Sequence, residues 1–141
     1  ALHSWPMTPD ARGNLVNLAE MGSADQGFMD KLFTTRLPAG WAALYDESDG
    51  SFLAFTFDPR ETPYVGICQM RGGWPAEGAR SFSTILEPCN GWPDHLNVAM
   101  SRGECLEIPA GGSRAWNIAL HLGQGRPALE HIVGLPADSL R

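Results

Sequence analysis

The residues best placed to do chemistry lie around Glu87, between a strand-like segment and a loop. Residues 82–86 predict a strand, whereas residues 88–93 contain two prolines and a glycine, which bar regular structure. A carboxylate at the end of a buried strand can act as a general base or accept hydrogen bonds from sugar hydroxyl groups. Partial burial between Leu86 and Pro88 would favour such a role. The alternative, which the spacing alone favours, is a solvated carboxylate that closes a strand.

Other candidate binding residues precede Glu87 in the chain. Asp30 lies in the segment 27–33, just before the first clear strand, and can accept a hydrogen bond from a sugar hydroxyl or cap a turn. The glycine-rich loop 71–79 carries Arg71 and Trp74. An indole in such a loop is either a stacking surface for the C–H face of a sugar or part of the core, and for Trp74 the two alternatives are balanced.

The histidines and cysteines do not form a recognisable metal or nucleophile motif. His95 follows Glu87 in the same loop region and joins the predicted binding residues, but it is not convincing as a catalytic acid. Three cysteines at wide spacing argue against a disulfide framework and fit a reducing cytoplasm, where small buried thiols are common. Metal-ligand spacing and a phosphate-binding glycine loop are both missing from the sequence. We therefore predict neither a metal nor an organic cofactor.

Composition excludes several classes of protein. The sequence has 141 residues and 43% hydrophobic residues, which predicts one globular domain spanning residues 1–141. It has 10 basic and 16 acidic residues, a net charge of -6, and no basic run, so a nucleic-acid partner is not expected. No apolar stretch is long enough to span a membrane. The sequence therefore predicts a cytoplasmic protein with no nucleic-acid or membrane partner.

The distribution of glycine and proline along the chain predicts strands joined by turns. There are 16 glycines and 11 prolines, and short aromatic and β-branched runs lie between them. The pair Asp49-Gly50 predicts a hairpin between Trp41–Tyr45 and Phe52–Phe57. Residues 1–26 predict an irregular lead-in, with at most a helical turn near Leu15–Met21. Further predicted elements are strands at Leu32–Arg36, Tyr64–Met70, Ser81–Leu86, Cys105–Ile108 and Arg114–Leu122, and a short helix at Pro93–Arg102.

The strongest periodicity lies near the end of the chain. Trp116, Ile118, Leu120 and Leu122 alternate with polar or small residues, and His121 falls on the polar side. No long amphipathic helix is visible. The fold class predicted from these elements is all-β and antiparallel, in the form of a sandwich.

Several segments together resemble a known superfamily. In chain order, they are Gly27–Phe33, Thr62–Gly66, Gly72–Trp74, Leu86–Pro88, Gly91–Asp94, Asn97 and Leu106–Gly111. Their order and spacing are similar to the late part of the aldose 1-epimerase, or galactose mutarotase-like, superfamily. The resemblance covers most of residues 27–123.

The resemblance implies a β-supersandwich that interconverts sugar anomers without a cofactor. In that superfamily a glutamate takes the proton of the anomeric hydroxyl while a histidine protonates the ring oxygen, and the ring opens and recloses. Glu87 matches the glutamate, and Asp30 matches an aspartate that binds a hydroxyl. The family's histidine and a sugar-gripping arginine come from an N-terminal half that this sequence does not match. The resemblance thus implies a C-terminal half, which would associate with a missing N-terminal half or form a homo-oligomer to cover its strand edges.

Three hypotheses for function remain open at this stage. The first is an aldose epimerase in which Glu87 is the base. The second is a module that binds a small sugar through Asp30, Arg71, Trp74 and Glu87 and does no chemistry. The third is an unrelated cupin-like sandwich with a metal at His95 or His121, ranked last because the ligand spacing of cupins is missing.

Overall fold

Strands make up most of the regular structure in the computed structural model, which describes residues 1–136. Within that range there are eight strands and two short helices, and the strands form three antiparallel sheets in the orders β1-β2, β3-β6-β7 and β4-β5-β8. The elements are β1 (Met7–Pro9), β2 (Leu15–Asn17), β3 (Phe28–Phe33), β4 (Trp41–Tyr45), β5 (Ser51–Phe57), β6 (Tyr64–Arg71), β7 (Phe82–Cys89), α1 (Leu96–Arg102), β8 (Ile118–Gln124) and α2 (Arg126–Val133). The predicted all-β, antiparallel class is confirmed.

Two compact units make up the chain, where the sequence predicted one domain. The first unit contains Ala1–Leu32 and Gly66–Glu87, and the second contains Phe33–Val65 and the residues from Pro88 onward. Most of the sheet β3-β6-β7 belongs to the first unit, and the sheet β4-β5-β8 belongs to the second.

The first unit begins with a hairpin where the sequence predicted an irregular lead-in. Strands β1 and β2 pair antiparallel with Thr8 opposite Val16, and Thr8 is buried. The Asp10 carboxylate closes the turn by accepting hydrogen bonds from the backbone N–H groups of Arg12 and Asn14, both at 2.8 Å. Strands of three residues are too short to show a period-2 pattern, which explains why the prediction of a helical turn at Leu15–Met21 was wrong.

Glu87 lies inside a strand of the main sheet of the first unit, and not at the end of one as predicted. Strand β7 does not end before Glu87 but continues through Pro88 to Cys89. Proline is tolerated there because β7 is an edge strand, where an N–H group can be absent from the ladder. Strand β3 likewise begins at Phe28, earlier than the predicted Leu32, so Asp30 lies inside a strand rather than before one.

The second unit contains the predicted hairpin. Strands β4 and β5 pair antiparallel with Tyr45 opposite Phe52, and the turn is closed by a hydrogen bond of 2.8 Å from the Gly50 N–H to the Asp46 carbonyl. Gly50 has a φ of 76°, which a residue without a side chain adopts at least cost. The prediction of this hairpin is confirmed because its signal is local, within a few residues of the turn.

The C-terminal part of the second unit differs from the predicted pattern. Helix α1 begins at Leu96 rather than Pro93, and Gly103 ends it with a φ of 67°, as predicted. Residues 105–108 are not a strand, and β8 begins at Ile118 rather than at Arg114. Helix α2 was not predicted, although it has a proline in its first turn and is followed by Gly134 with a φ of 73°.

Helix α2 supplies the hydrophobic core of the second unit. Its Leu129 packs with Phe52 and Ala54 of β5, and all three side chains are buried. Ile132 and Val133 of the same helix and Ala43 and Tyr45 of β4 pack around this cluster. The helix therefore covers the side of the sheet that carries Phe52 and Ala54, and the leucines of β8 point away from it.

We expect Leu129→Ala to lower the free energy of unfolding by about 2–5 kcal/mol, because it removes a fully buried side chain and leaves a cavity. Leu96→Ala is the matched control, since Leu96 is also a helical leucine but is 66% exposed. That variant should change the free energy by less than about 0.5 kcal/mol. Urea denaturation measures both values, and equal effects of the two substitutions would contradict the assigned core.

Candidate functional site

Glu87 forms an ion pair with Lys31 on the main sheet of the first unit. Lys31 Nζ and Glu87 Oε2 are 2.7 Å apart, and the two side chains are 24% and 38% exposed. Lys31 lies on β3 and Glu87 on β7, so the two side chains meet over the central strand β6. Lysine was not among the residues predicted from the sequence, because the pair depends on a strand order that brings β3 and β7 to opposite sides of β6.

The structure places exposed apolar side chains on the same face as this pair. Side chains two residues apart in a strand share a face, so Met29 lies beside Lys31 and Ile85 beside Glu87. Met29 is 44% exposed and Ile85 is 40% exposed. The sheet surface therefore offers an ammonium donor and a carboxylate acceptor beside two accessible apolar groups. We refer to Met29, Lys31, Ile85 and Glu87 as the pair surface.

Asp30 is not part of the pair surface. It is adjacent to Lys31 in β3, and successive side chains of a strand point to opposite faces of the sheet. Its Oδ1 atom accepts a hydrogen bond of 2.8 Å from the Lys31 backbone N–H. The structure thus separates the two carboxylates, Asp30 and Glu87, that the sequence analysis grouped in one sugar site.

Arg71 is buried and is bonded to its own chain. Its Nη2 atom donates hydrogen bonds to the backbone carbonyls of Asn17, at 2.6 Å, and Glu20, at 2.5 Å. Nη1 donates to Gln26 Oε1 at 3.2 Å, and the guanidinium lies 5.5 Å from the centre of the Phe28 ring. Burial lowers the pKa of Arg71, although a guanidinium keeps its charge in proteins. These contacts fasten residues 17–26 to β6, and the burial of Arg71 gives no support to its predicted role in substrate binding.

The loop over Arg71 is packed closely against the guanidinium. Gly22 has a φ of 67°, and a Cβ atom added there would lie 2.7 Å from Arg71 Nη1. Among residues 1–136, the one buried side-chain polar atom without a hydrogen bond is Arg71 Nε. A buried cation held mainly by carbonyl oxygens is therefore the polar centre of the first unit.

Trp74 is exposed on an anchored loop. The exposed fraction of its side chain is 53%. The loop is held by hydrogen bonds from the Ser81 N–H to the Trp74 carbonyl, at 2.7 Å, and from Arg80 Nη1 to the Gly72 carbonyl, at 2.8 Å. Of the two alternatives for Trp74, the structure favours an accessible ring over a core residue.

His95 belongs to the second unit, whereas the other predicted site residues belong to the first. It is exposed and occupies the N-cap position of α1, where its backbone carbonyl accepts hydrogen bonds from the N–H groups of Val98, at 2.9 Å, and Ala99, at 3.0 Å. Its imidazole makes no capping hydrogen bond. The backbone of His95 therefore begins a helix. This capping role does not involve its imidazole ring.

A second charged cluster, in the second unit, was missed by the sequence analysis. The hydroxyl of Tyr64 donates a hydrogen bond to Glu104 Oε2, and Arg36 Nη2 lies 3.0 Å from the same oxygen. Burial, followed by the bond to Glu104, raises the pKa of Tyr64 to about 12. The same hydrogen bond, with the charge of Arg36, lowers the pKa of Glu104. No local pattern in the sequence joins Tyr64 to Glu104, because they are 40 residues apart.

Aromatic side chains extend this cluster. The centre of the Trp92 ring lies 6.4 Å from those of Phe33 and Tyr64, and the Arg102 guanidinium lies 5.0 Å from it. Trp92 lies in a loop, where an indole ring can be a stacking surface for a ligand. Its ring faces are instead occupied by protein side chains, so the cluster joins the segment around residues 92–104 to β6 within the second unit.

Other features of residues 1–136 do not form a recognisable site. No group of three or more histidine, cysteine or acidic side chains in this range is arranged to hold a metal ion. A cavity of about 180 Å³ is lined by Pro127, Glu130, His131 and Leu135, smaller than the ~300–1,000 Å³ usual for ligand pockets. Neither helix is long and apolar enough to cross a membrane. Comparisons with models of protein families, with curated proteins and with solved structures found no match.

We expect Arg71→Met to lower the free energy of unfolding by about 3 kcal/mol, because it removes the hydrogen bonds that a buried guanidinium donates to Asn17, Glu20 and Gln26. Arg60→Met is the control, since the Arg60 side chain is 88% exposed. Urea denaturation gives both free energies, and limited proteolysis should show faster cleavage in residues 17–26 of the first variant. Equal stability of the two variants would rule out the anchoring role.

We expect Tyr64 to titrate near pH 12 in the folded protein. In the variant Tyr45→Phe it is the sole tyrosine, so the ultraviolet absorbance of tyrosinate follows it directly. Because the pKa in the folded state is about 12 and that of a free tyrosine is about 10, the stability that Tyr64 contributes is complete below pH 10. It declines as the pH rises from 10 through 12. A midpoint near pH 10 in protein that is still folded would contradict the burial of this hydroxyl.

Proposed function

We propose that the protein binds a small carbohydrate at the pair surface, without a metal or organic cofactor. The observation that carries the proposal is the partly exposed ion pair between Lys31 and Glu87, flanked by Met29 and Ile85. An ammonium donates hydrogen bonds, a carboxylate accepts them, and apolar side chains cover the C–H groups of a sugar ring. The exposed ring of Trp74, in the same unit, supplies a further stacking surface.

Binding without chemistry is the form of this proposal that the geometry favours. One oxygen of Glu87 is already bonded to the Lys31 ammonium, which competes with a sugar hydroxyl for that oxygen. Acid–base ring opening also requires a second group on the far side of the acetal. The proton donor of the pair surface, the Lys31 ammonium, is bonded to Glu87 itself and therefore lies on the same side of a bound sugar as the base. Catalysis with Glu87 as the base, as implied by the resemblance to aldose 1-epimerases, therefore remains a prediction and not part of the proposal.

The proposed location is the cytoplasm. The sequence has three widely spaced cysteines, a sparse and odd-numbered set that fits a reducing compartment. The proposed partner is a small sugar, free or phosphorylated, and no nucleic acid or membrane takes part.

Calorimetric titration with glucose, galactose and their phosphates tests the proposal. We expect a dissociation constant on the order of 1 mM for at least one of these sugars. Glu87→Gln and Lys31→Met should each weaken binding about ten-fold or more, because hydrogen bonds to charged groups contribute about 1.5–3 kcal/mol. Glu77→Gln is the control, since Glu77 is an exposed carboxylate in the Trp74 loop. Absence of binding up to about 50 mM would reject the proposal, as would equal losses in all three variants.

Polarimetry separates binding from catalysis. We expect the protein to leave the rate of anomer equilibration of a bound sugar unchanged. A rate increase that disappears in Glu87→Gln would show that Glu87 is a base and would replace the binding proposal by the enzyme hypothesis.

A further inference from the structure

Strand β8 is an edge strand without the protection that such strands usually carry. It is the last strand in the order β4-β5-β8, and no described strand pairs with its outer side. Exposed edges are commonly protected by lysine, proline or a bulge, which hinder pairing with another chain. The seven residues of β8 include no proline and no lysine, arginine or acidic residue.

The register of the sheet shows which backbone groups face outward. The Gly125 N–H donates a hydrogen bond of 2.8 Å to the Gly50 carbonyl, which extends the ladder in which Gly123 opposes Phe52 and His121 opposes Ala54. Hydrogen-bonded residues alternate along an antiparallel strand. Gly123 and His121 therefore direct their N–H and C=O groups toward β5. The residues that direct theirs outward are Ile118, Leu120, Leu122 and Gln124.

The same residues carry the exposed apolar side chains of the strand. Leu120 is 55% exposed, Leu122 is 74% exposed and Ile118 is 38% exposed. Helix α2 does not cover this edge, because it packs on Phe52 and Ala54 of β5 and on side chains of β4. One edge thus combines unpaired backbone groups with accessible leucines.

We propose that this edge pairs with β8 of a second copy of the chain. In an antiparallel pair centred on His121, Leu120 lies opposite Leu122 of the second copy and Ile118 lies opposite its Gln124. Every outward N–H and C=O group of the strand then finds a partner, and the leucines of both copies form one cluster on the same face.

The strand is self-complementary in this register. The small residues Ala119 and Gly123 lie opposite each other, and no acidic or permanently basic side chain is brought into the pair. A register shifted along the strand would leave outward groups unpaired at both ends. These features select a second copy as the occupant, because a two-fold axis makes the same surface complementary to itself.

The contact is small, so the dimer is expected to be weak. Seven residues extend over about 24 Å. Pairing along one edge of that length buries less than the ~800 Å² per partner of a standard interface, which is typical of transient association. The proposed dimer is therefore expected to depend on protein concentration.

The outer edge of β4, at the other side of the sheet, is a poorer candidate. By the same alternation, Ala43 and Tyr45 direct their backbone groups outward there, and their side chains pack against the α2 core instead of being accessible. Leu44 is the exposed apolar residue of that strand, at 38%. This edge provides the control for the experiment.

Sedimentation velocity over about 5–500 µM tests the proposal. We expect a monomer at the low end, a dimer at the high end and no larger species. Leu122→Pro removes one outward N–H group and leaves the ladder to β5 intact, and Leu122→Lys places a charge on the edge. Both variants should remain monomeric, whereas Leu44→Lys should dimerise like the parent, with circular dichroism confirming that each is folded.

Amide hydrogen exchange locates the contact residue by residue. At high concentration the amides of Leu120 and Leu122 should exchange at least about ten-fold more slowly than at low concentration, while that of His121 should not change because it already bonds to β5. A monomer over the whole range, open-ended assembly, or dimerisation lost in Leu44→Lys and retained in both Leu122 variants would each overturn the proposal.

Discussion

Burial of strand β6 is the constraint on which much of this fold depends. Seven of its eight residues are buried, including Tyr64, Gln69 and Arg71. A buried polar group without a partner costs several kcal/mol, so each of these side chains must be met by atoms from another part of the chain. Gln69 Nε2 donates to the Leu18 carbonyl at 2.9 Å, beside the contacts of Arg71 with the same segment. The positions of residues 17–26 thus follow from the polar side chains of a single strand.

The buried polar side chains at the two ends of β6, Tyr64 and Arg71, have partners of different chemistry. At Arg71 the charge is met mainly by neutral oxygens, which fix the loop geometry through several donors on one planar group. At Tyr64 the hydroxyl is met by the carboxylate of Glu104, itself held by Arg36. The first arrangement anchors a segment that precedes the sheet, and the second anchors one that follows it. Both sets of contacts are internal to the protein, whereas the side chains of Lys31 and Glu87 are 24% and 38% exposed.

How much could be predicted depended on how local each signal is. The hairpin through Asp49 and Gly50 follows from its turn residues, and the stop of α1 follows from Gly103. The predicted end of β7 was wrong because a proline does not have to end an edge strand. On the outer side of such a strand no backbone N–H group is needed for pairing, so β7 continues through Pro88. The separation of Asp30 from Glu87 and the burial of Arg71 could not be predicted, because strand order and the packing of residues 17–26 do not depend on neighbouring residues in the sequence.

The alternation in β8 shows that a period-2 pattern predicts a strand but not which face of that strand is buried. It correctly indicates a strand, and the leucine face would be the natural choice for the core. Helix α2 instead packs over the side that carries Ala54, where a small side chain and a helix can approach closely. Position 123 also requires a small residue, because a Cβ atom there would lie 2.6 Å from the Phe52 ring. Small residues on this face therefore leave room for the helix and for the Phe52 ring, and the leucines of β8 lie on the other face of the sheet.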